Sequence, residues 1–404
     1  MRLCSHYIPP IRNLSTRDFI RLRRGARLRA ETVACMGLFG EDRHFGVQAR
    51  ALPLGFHFQE ADQEGHPCYF ICFSRPEVIK NSWVGQTPGK EMDTMNPPPV
   101  TVVVSTRNRS EYILKTVQSI LLNDYPSFEV IVVDQSENDL TEAILRPLLG
   151  NPRFRYLRSP TKGLSVGRNL AISATQSQFI AITDDDCEVP THWIRELVSS
   201  FAVDHRIGII FGNTLATSHD RTAGFIPAYI RSEPFLARGI HEKHRVEGIS
   251  TCMGLRRSLW QVLGGFDEML GAGSPFKSSE EIDFTIRAFL AGYFVYETPN
   301  VVVVHHGFRT WEQGQVLIQG YLYGIGAMFM KHLKCGHWGV IQVLLHLAWR
   351  WVFQHPVVDF GHRPPRGLRL TGFIRGLIAG ALHPVDKNRG HYLRKATLSP
   401  VQSK

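Results

Sequence analysis

Long apolar runs are missing from this sequence, although 43% of its 404 residues are hydrophobic. A helix that spans a bilayer needs about 20 consecutive apolar residues. The nearest approach, residues 340–353, is interrupted by Gln342, His346 and Arg350. Residues 1–13 also lack the apolar core of a signal peptide. We therefore predict no spanning helix and a cytoplasmic location.

Two phosphate-binding motifs are absent as well. No G-x-G-x-x-G follows the first regular strand, which disfavours a dinucleotide cofactor, and no G-x-x-x-x-G-K-[ST] occurs, which excludes a P-loop enzyme. Cysteine is scarce, with seven residues scattered along the chain. An odd, unclustered set does not form a disulfide framework, so we expect a reducing compartment.

Acidic residues are fewer than basic ones, 36 against 46, which gives a net charge of +10. This charge favours an anionic partner such as a nucleotide or an acidic lipid surface. Residues 12–29 contain seven arginines and one acid, Asp18. They predict either a peripheral contact with the inner face of the plasma membrane, through a basic amphipathic helix, or a solvated arm. A nucleic-acid partner is disfavoured because no recognition motif accompanies the charge.

The domain organisation follows from changes in pattern along the chain. We predict an N-terminal extension of unknown role over residues 1–95 and a central domain over 96–312, with one part at 98–212 and a second at 213–312. Residues 313–404 predict a helical, membrane-associated region. Between residues 100 and 211, continuous apolar strands alternate with helices. That alternation predicts an α/β fold, with a mostly parallel sheet covered by helices on both faces.

The most informative segment is an apolar strand at residues 179–183 that ends at three consecutive carboxylates, Asp184, Asp185 and Asp186. Adjacent carboxylates repel one another unless a cation lies among them. Oxygen ligands suit a hard ion such as Mg²⁺ or Mn²⁺, and such ions in enzymes commonly contact phosphate oxygens. The triplet therefore predicts a metal–diphosphate site, with a solvated acidic turn as the alternative.

Two other strand ends carry polar clusters, Ser-Thr-Arg-Asn-Arg at 105–109 and Asp-Gln-Ser-Glu at 134–137. Ligands of parallel α/β sheets bind at the carboxyl ends of the strands. We therefore expect both clusters and the aspartate triplet to converge on one edge of the sheet.

Read in order, these segments resemble the family 2 glycosyltransferases over about residues 98–310. The matching pieces are Val-Val-Val-Ser-Thr-Arg-Asn-Arg at 102–109, Val-Val-Asp at 132–134, Gly163 with Arg168 and Asn169, the aspartate triplet, Gly-Gly-Phe-Asp at 264–267 and Glu-Glu-Ile-Asp at 280–283. The resemblance implies a GT-A fold over residues 96–312, with the nucleotide sugar bound by the half at 98–212 and the acceptor by the half at 213–312. It also implies transfer of a sugar from a nucleoside diphosphate donor (UDP, GDP or dTDP) to a hydroxyl of a glycan, a lipid-linked molecule or a cell-surface polysaccharide, with inversion at the anomeric carbon.

The resemblance also implies roles for single residues. Asp184 and Asp186 resemble the metal-binding pair of the DxD motif, with Mg²⁺ or Mn²⁺ as cofactor. His305 or His306, at the end of a valine strand, is a further candidate for the metal or the diphosphate. The implied nucleotide-binding residues are Ser105, Thr106, Arg107, Asp134, Arg168, Asp184 and Asp185.

The base that accepts the acceptor's proton has three candidates. Glu281 aligns with the catalytic aspartate of the family's acidic pair, and a helix N-terminus favours its ionised form. However, Ser278-x-x-Glu281 also has the spacing of a capping box, which would tie Glu281 to the backbone. Glu280 and Asp283 therefore stay open as alternatives, although Asp283 has the spacing of a helical ion pair with Arg287.

A sugar-phosphate nucleotidyltransferase is the main competing hypothesis because it too uses a metal and a diphosphate on an α/β sheet. Such an enzyme should carry a glycine-rich loop with a basic residue after the first strand. This chain has Ser-Thr-Arg-Asn-Arg there. Release of pyrophosphate instead of a nucleoside diphosphate would separate the two.

Overall fold

The structure is a computed structural model that describes residues 50–52, 55–57, 59–61, 67–69, 96–352 and 366–394. The chain divides into two compact units, Met1–Gln86 and Thr87–Lys404. In the first unit, β1 (Arg50–Leu52) pairs with β2 (Gly55–His57) and β3 (Gln59–Ala61) with β4 (Pro67–Tyr69), both antiparallel. The basic arm at residues 12–29 lies outside the described residues.

The second unit is built on one large sheet. Its strands are β5 (Val100–Thr106), β6 (Phe128–Asp134), β7 (Phe154–Arg158), β8 (Phe179–Asp184), β9 (Cys187–Glu188), β10 (Ile207–Ala216), β12 (Phe235–Ala237), β13 (Met253–Arg256) and β14 (Phe294–His305). Outside it, β11 (Gly224–Phe225) pairs with β15 (Arg309–Thr310), and β16 (Val385–Asp386) with β17 (His391–Tyr392). The order is β12-β14-β10-β13-β8-β5-β6-β7, with β9 paired to β14. Pairs β5–β6, β6–β7, β5–β8 and β10–β14 are parallel, whereas β13 is antiparallel to both of its neighbours.

Helices follow most of the parallel strands. They are α1 (Ser110–Leu121), α2 (Leu140–Leu145), α3 (Leu164–Ser173), α4 (Trp193–Ser200), α5 (Arg257–Leu263), α6 (Glu280–Leu290), α7 (Trp311–Lys334), α8 (Gly339–Val352) and α9 (Arg366–Leu382), with short 3₁₀ turns at Arg146–Leu148, Ile240–Arg245 and Ser250–Cys252. In the sequence, Pro299 and Asn300 separate two apolar segments, 293–296 and 301–304, a pattern that predicts two strands, but the structure has the single strand β14. An irregular register against β10 near Asn213 accommodates its length.

Apolar side chains pack against both faces of the sheet. On one face, Val102 and Val104 belong to a cluster that includes Val117 of α1 and Leu197 of α4. On the other, Val103 and Ile182 belong to a cluster that includes Phe284 of α6 and residues of α3. A strand buried on both faces reads as a continuous apolar run, which explains the valine-rich sequence of β5. The predicted α/β class with a mostly parallel sheet is confirmed.

The C-terminal helices pack closely through glycine. A Cβ at Gly376 of α9 would overlap the carbonyl of Tyr323 in α7, and one at Gly326 of α7 would overlap the carbonyl of Phe373. Small residues at four-residue spacing, here Gly372, Gly376 and Gly380, allow such close approach of two helix backbones. Among the described residues, no helix combines the length and apolarity needed to cross a bilayer.

Candidate active site

The carboxyl ends of the central strands meet at one edge of the sheet, as expected. Ser105 of β5 lies opposite Asp184 of β8, and Thr106 lies opposite Asp134 of β6. The register is fixed by the parallel pairing of three buried strands. Polar groups that are far apart in sequence therefore surround one cleft.

Asp184 faces the half of the cleft formed by α6. Its Oδ2 accepts a hydrogen bond from Thr251 Oγ1 at 2.8 Å, and its Oδ1 lies 3.4 Å from the guanidinium of Arg168. Arg168 is 1% exposed and also donates to Glu280 at 3.0 Å and to Ser250 at 3.0 Å. One buried arginine therefore joins the aspartate triplet to the N-terminus of α6.

Asp185 lies between its neighbours and points to the start of α1. It accepts hydrogen bonds from Thr106 Oγ1 at 2.6 Å and from Arg109 at 2.9 Å. Burial raises the pKa of Asp185 to about 7, although the charge of Arg109 opposes the shift. Its oxygens are thus engaged by protein groups.

Asp186 pairs with Arg109 and with His305. Burial alone would raise the pKa of Asp186, but the interactions with His305 and Arg109 outweigh it and lower the pKa. His305 Nδ1 lies 2.8 Å from the carbonyl oxygen of Pro227, an arrangement in which Nδ1 carries the proton and donates it. Its Nε2 lies 3.2 Å from Asp186 Oδ1. Burial alone would lower the pKa of His305, but the contact with Asp186 outweighs burial and raises it. When the ring is neutral with its proton on Nδ1, Nε2 and Oδ1 are both acceptors. Two acceptors at that distance need a proton or a cation between them.

These residues fit a divalent cation. Asp186 Oδ1 is buried. Apart from the His305 ring, no described residue donates a hydrogen bond to it. A Cβ at Gly307 would overlap Asp186 Oδ2, so the glycine leaves room beside the carboxylate. A metal-bound histidine commonly donates its second ring N–H to a carbonyl, as His305 does. Cys187 lies within reach of both side chains, but burial raises the pKa of its thiol well above the usual value, and soft sulfur does not suit Mg²⁺ or Mn²⁺.

His306 points elsewhere. Its Nε2 lies 3.0 Å from Glu188 Oε1, and its ring stacks on Tyr112 of α1. The structure therefore brings His305, and not His306, to Asp186. The alternation of side chains along a strand explains why neighbouring histidines face opposite ways.

The residues predicted to bind the nucleotide differ in their burial and in their hydrogen-bond partners. Ser105 Oγ is buried and has no hydrogen-bond partner among the described residues. Asp134 is fully buried, and Tyr156, Arg158 and the backbone of Ser136 occupy its oxygens. Arg107 forms an exposed ion pair with Glu137 instead of facing the triplet.

The backbone is strained where α6 begins. Lys277 and Ser279 adopt positive φ angles of 67° and 74°, which cost energy in residues with a Cβ and concentrate at functional sites. Ser279 is the N-cap and makes no side-chain cap, while Ser278 Oγ donates to the carbonyl of Tyr321. The capping box considered from the sequence is not formed, so Glu281 is not tied to the backbone in that way.

Glu281 lies in the first turn of α6 and is partly exposed. Burial, with a contribution from the charge of Glu280, raises the pKa of Glu281 to about 8. The pKa of Tyr321 of α7 is raised, mainly by burial. The negative charges of Glu281, Glu280 and Asp184 raise it further. The acidic pair, Tyr321 and the triplet therefore surround the same cleft.

Asp283 lies on another face of α6. It is fully buried against the ammonium of Lys331 at 2.6 Å, Arg287 at 2.9 Å and His332 at 3.0 Å. Burial alone would raise the pKa of Asp283, but the charges of Lys331 and Arg287 outweigh it and hold the pKa well below its usual range. Lys331 also contacts Asp267 at 2.7 Å. This network anchors α6 to α7 and keeps Asp283 out of the cleft.

We expect Lys331→Met to lower the free energy of unfolding by about 3–5 kcal/mol, because it leaves two buried carboxylates without their shared cation. Urea denaturation at neutral pH measures the change. Lys162→Met is the matched control, since Lys162 makes only an exposed pair with Glu137, and it should have a far smaller effect. Equal unfolding midpoints for the two variants would contradict a stabilising role of this network.

Three residues of the cleft were missed by sequence reasoning. Arg109 belongs to the polar cluster after β5, so that cluster was the available signal. Thr251 and Tyr321 lie in segments without a readable motif, and only their packing brings them to Asp184 and Glu281. Between residues 163 and 167 the chain also has the Gly-x-Ser-x-Gly spacing of a hydrolase nucleophile, but Ser165 is buried and donates to the carbonyl of Leu270 at 2.7 Å.

Comparison with known proteins agrees with this arrangement. The profile of the family described as Glycosyl transferase family 2 matches residues 101–263, which contain the strand ends and the aspartate triplet. These residues form a family 2 glycosyl transferase domain. Its α/β sheet with flanking helices has the predicted fold class.

The glycosyl transferase domain has several curated relatives. Beta-monoglucosyldiacylglycerol synthase of Synechocystis is 26% identical over 240 residues, which cover 55% of this chain and 48% of that protein. Succinoglycan biosynthesis protein ExoO of Rhizobium meliloti is 31% identical over 111 residues, covering 26% and 32%. Among solved structures, mannosyltransferase PcManGT of Pyrobaculum calidifontis, in complex with GDP-Man and Mn²⁺, is 17% identical with a TM-score of 0.49, covering 75% of this chain and 91% of that one. The chain thus spans less than half the length of these two curated relatives.

Proposed function

We propose that this protein is an inverting glycosyltransferase that moves a sugar from a nucleoside diphosphate sugar to a hydroxyl acceptor by a single displacement. The main support is that Arg168 contacts both Asp184 and Glu280. The acidic cluster that would receive the donor and the carboxylates that would serve the acceptor are therefore separated by one side chain. A single displacement needs this proximity, because donor and acceptor must be held in line.

The donor would lie along the strand ends. Ser105 offers a buried hydroxyl without a partner, and Asp184 is the most accessible member of the triplet, with 28% of its side chain exposed. Asp186 and His305 would hold the divalent ion, which would neutralise the negative charge of the leaving diphosphate. Arg109, next to Asp185 and Asp186, places a further positive charge at the same point.

Glu281 would accept the proton of the acceptor hydroxyl. Glu280 is held by Arg168, and Asp283 is enclosed by cations, so Glu281 is the candidate whose carboxylate faces the cleft without such a partner. A raised pKa suits this role, because a base is most effective when its pKa is close to the working pH. We therefore propose that Glu280 and Asp283 position α6 and do not take the proton.

The acceptor would approach between α1 and α7. A cavity of about 550 Å³ opens there beside Arg109, lined also by Tyr112, Phe308 and Leu317. A mixture of aromatic and polar groups suits a sugar or a lipid-linked acceptor. The relatives include a synthase of a glucosylated lipid, beta-monoglucosyldiacylglycerol synthase, and a succinoglycan biosynthesis protein, which supports either kind of acceptor.

The protein would work in the cytoplasm, where nucleotide-sugar donors would reach it. Cys187, Cys252 and Cys335, the cysteines whose surroundings are described, are free thiols, which supports a reducing compartment such as the cytoplasm. The donor would be a UDP-, GDP- or dTDP-sugar, and the cofactor Mg²⁺ or Mn²⁺.

Thermal unfolding with a panel of these sugars, with and without Mn²⁺ or Mg²⁺, tests the proposal. One donor should raise the unfolding temperature only when the metal is present, by the equivalent of about 2.7 kcal/mol at a hundredfold excess over its dissociation constant. Turnover of that donor should release a nucleoside diphosphate. Release of pyrophosphate would instead support the nucleotidyltransferase, and stabilisation without any metal would contradict the cation site.

A further inference from the structure

The outer face of α9 carries an apolar stripe. Leu370, Ile374, Ile378 and Leu382 recur at four-residue intervals and are 50%, 43%, 55% and 81% exposed. At 100° per residue, positions four apart share one side of a helix. These four side chains, called the α9 stripe below, therefore form a continuous exposed surface.

The opposite side of α9 explains why the stripe faces outward. Gly372, Gly376 and Gly380 each follow a stripe residue by two positions, and two residues correspond to about 200° around the helix. These glycines are buried, and a Cβ on any of them would meet α7 or Tyr392. The two helix backbones approach this closely only where α9 presents glycine to α7. Turning α9 to bury the stripe against α7 would put side chains where only glycine fits.

The charged residues of α9 itself have one sign. The sequence of α9, Arg-Gly-Leu-Arg-Leu-Thr-Gly-Phe-Ile-Arg-Gly-Leu-Ile-Ala-Gly-Ala-Leu, contains three arginines and no acid. A groove of about 230 Å³ borders the helix, and its lining includes Lys277 and Arg375 but no acidic residue. Val316 of α7, which is 70% exposed, lines the same groove. An aliphatic surface beside a cationic groove matches lipid chains beside anionic headgroups.

We propose that the α9 stripe docks on an anionic lipid bilayer, with the groove at Lys277 and Arg375 receiving a headgroup phosphate. Four aliphatic side chains would enter the boundary between headgroups and acyl chains, and the helix would lie parallel to the surface. The contact is peripheral, because seventeen residues in this orientation do not span the hydrocarbon. This inference concerns binding alone and stands independently of the proposed chemistry.

Co-sedimentation of the full-length protein with vesicles tests this contact. Wild-type protein should bind vesicles of phosphatidylcholine with phosphatidylglycerol better than pure phosphatidylcholine, and added salt should weaken the binding. The double variant Ile374→Glu/Ile378→Glu should bind the anionic vesicles about tenfold more weakly or worse. Arg375→Gln should bind roughly fivefold more weakly, the effect of one cation near such a surface.

The control is Val203→Glu/Val262→Glu, which adds the same two charges at apolar positions that are 56% and 65% exposed elsewhere. It should bind like the wild type. Equal binding by both double variants would assign any membrane contact to another part of the chain and overturn the proposal. So would a lack of wild-type binding, or a wild-type dimer in sedimentation velocity that Ile374→Glu/Ile378→Glu converts to a monomer.

Discussion

Replacing Asp186 by asparagine is expected to lower the rate of sugar transfer by about a thousandfold or more. Asp186 Oδ1 and His305 Nε2 face each other at 3.2 Å, and the substitution replaces one anionic ligand of the proposed cation with an amide. A bound divalent ion stabilises a leaving diphosphate by several kcal/mol, and each 1.4 kcal/mol is about a factor of ten in rate. Nucleoside diphosphate release with the donor found by thermal unfolding measures the loss.

Asp139→Asn is the matched control, because the Asp139 side chain is 89% exposed and lies at the N-terminus of α2. It should leave transfer unchanged. Manganese binding, followed by electron paramagnetic resonance without any substrate, should weaken in Asp186→Asn but not in Asp139→Asn. Full activity of Asp186→Asn in a folded protein would rule out the proposed metal site.

The second large effect concerns the base. We expect Glu281→Gln to reduce kcat by about 10² to 10⁴, the usual contribution of a general base, with little change in the free energy of unfolding. Glu280→Gln should differ, because it removes the carboxylate that pairs with the buried guanidinium of Arg168. That variant should lose stability as well as activity. If Glu280→Gln impairs only kcat and Glu281→Gln has wild-type rates, the two roles must be exchanged.

The pH dependence of transfer gives an independent test of Glu281. Its pKa is raised to about 8 by burial and by the neighbouring Glu280, and a base acts only when it is ionised. Below that pH the competent fraction should fall about tenfold per unit, so kcat/KM should rise with pH and level off near pH 8. Glu281→Asp should keep a rising profile at a lower rate, whereas Glu281→Gln should lose this limb. A wild-type profile that is flat from pH 6 to about pH 9 would contradict the assignment.

The alternation of strands and helices was readable from the sequence, because a strand buried on both faces must be apolar along its whole length. The same reasoning located the sheet edge, since charges can follow such a strand only where it emerges from the core. Ser105, Asp134 and Asp184 were therefore expected to be neighbours, and the register of β5, β6 and β8 places them so. The single strand β14 was not predicted, because Pro299 and Asn300 interrupt its apolar pattern.

Tertiary structure distinguishes the surroundings of three acids that the sequence left open as candidates for the base. Glu281 lies about 100° from Glu280 and about 160° from Asp283 around one helix. The side of α6 that meets the cleft depends on how the helix packs against Arg168 and against Lys331 of α7. Both cations come from distant parts of the chain, so no local pattern identifies them. Local periodicity determined where the acids would lie, and long-range packing decided which of them are neutralised by buried cations and which faces the cleft.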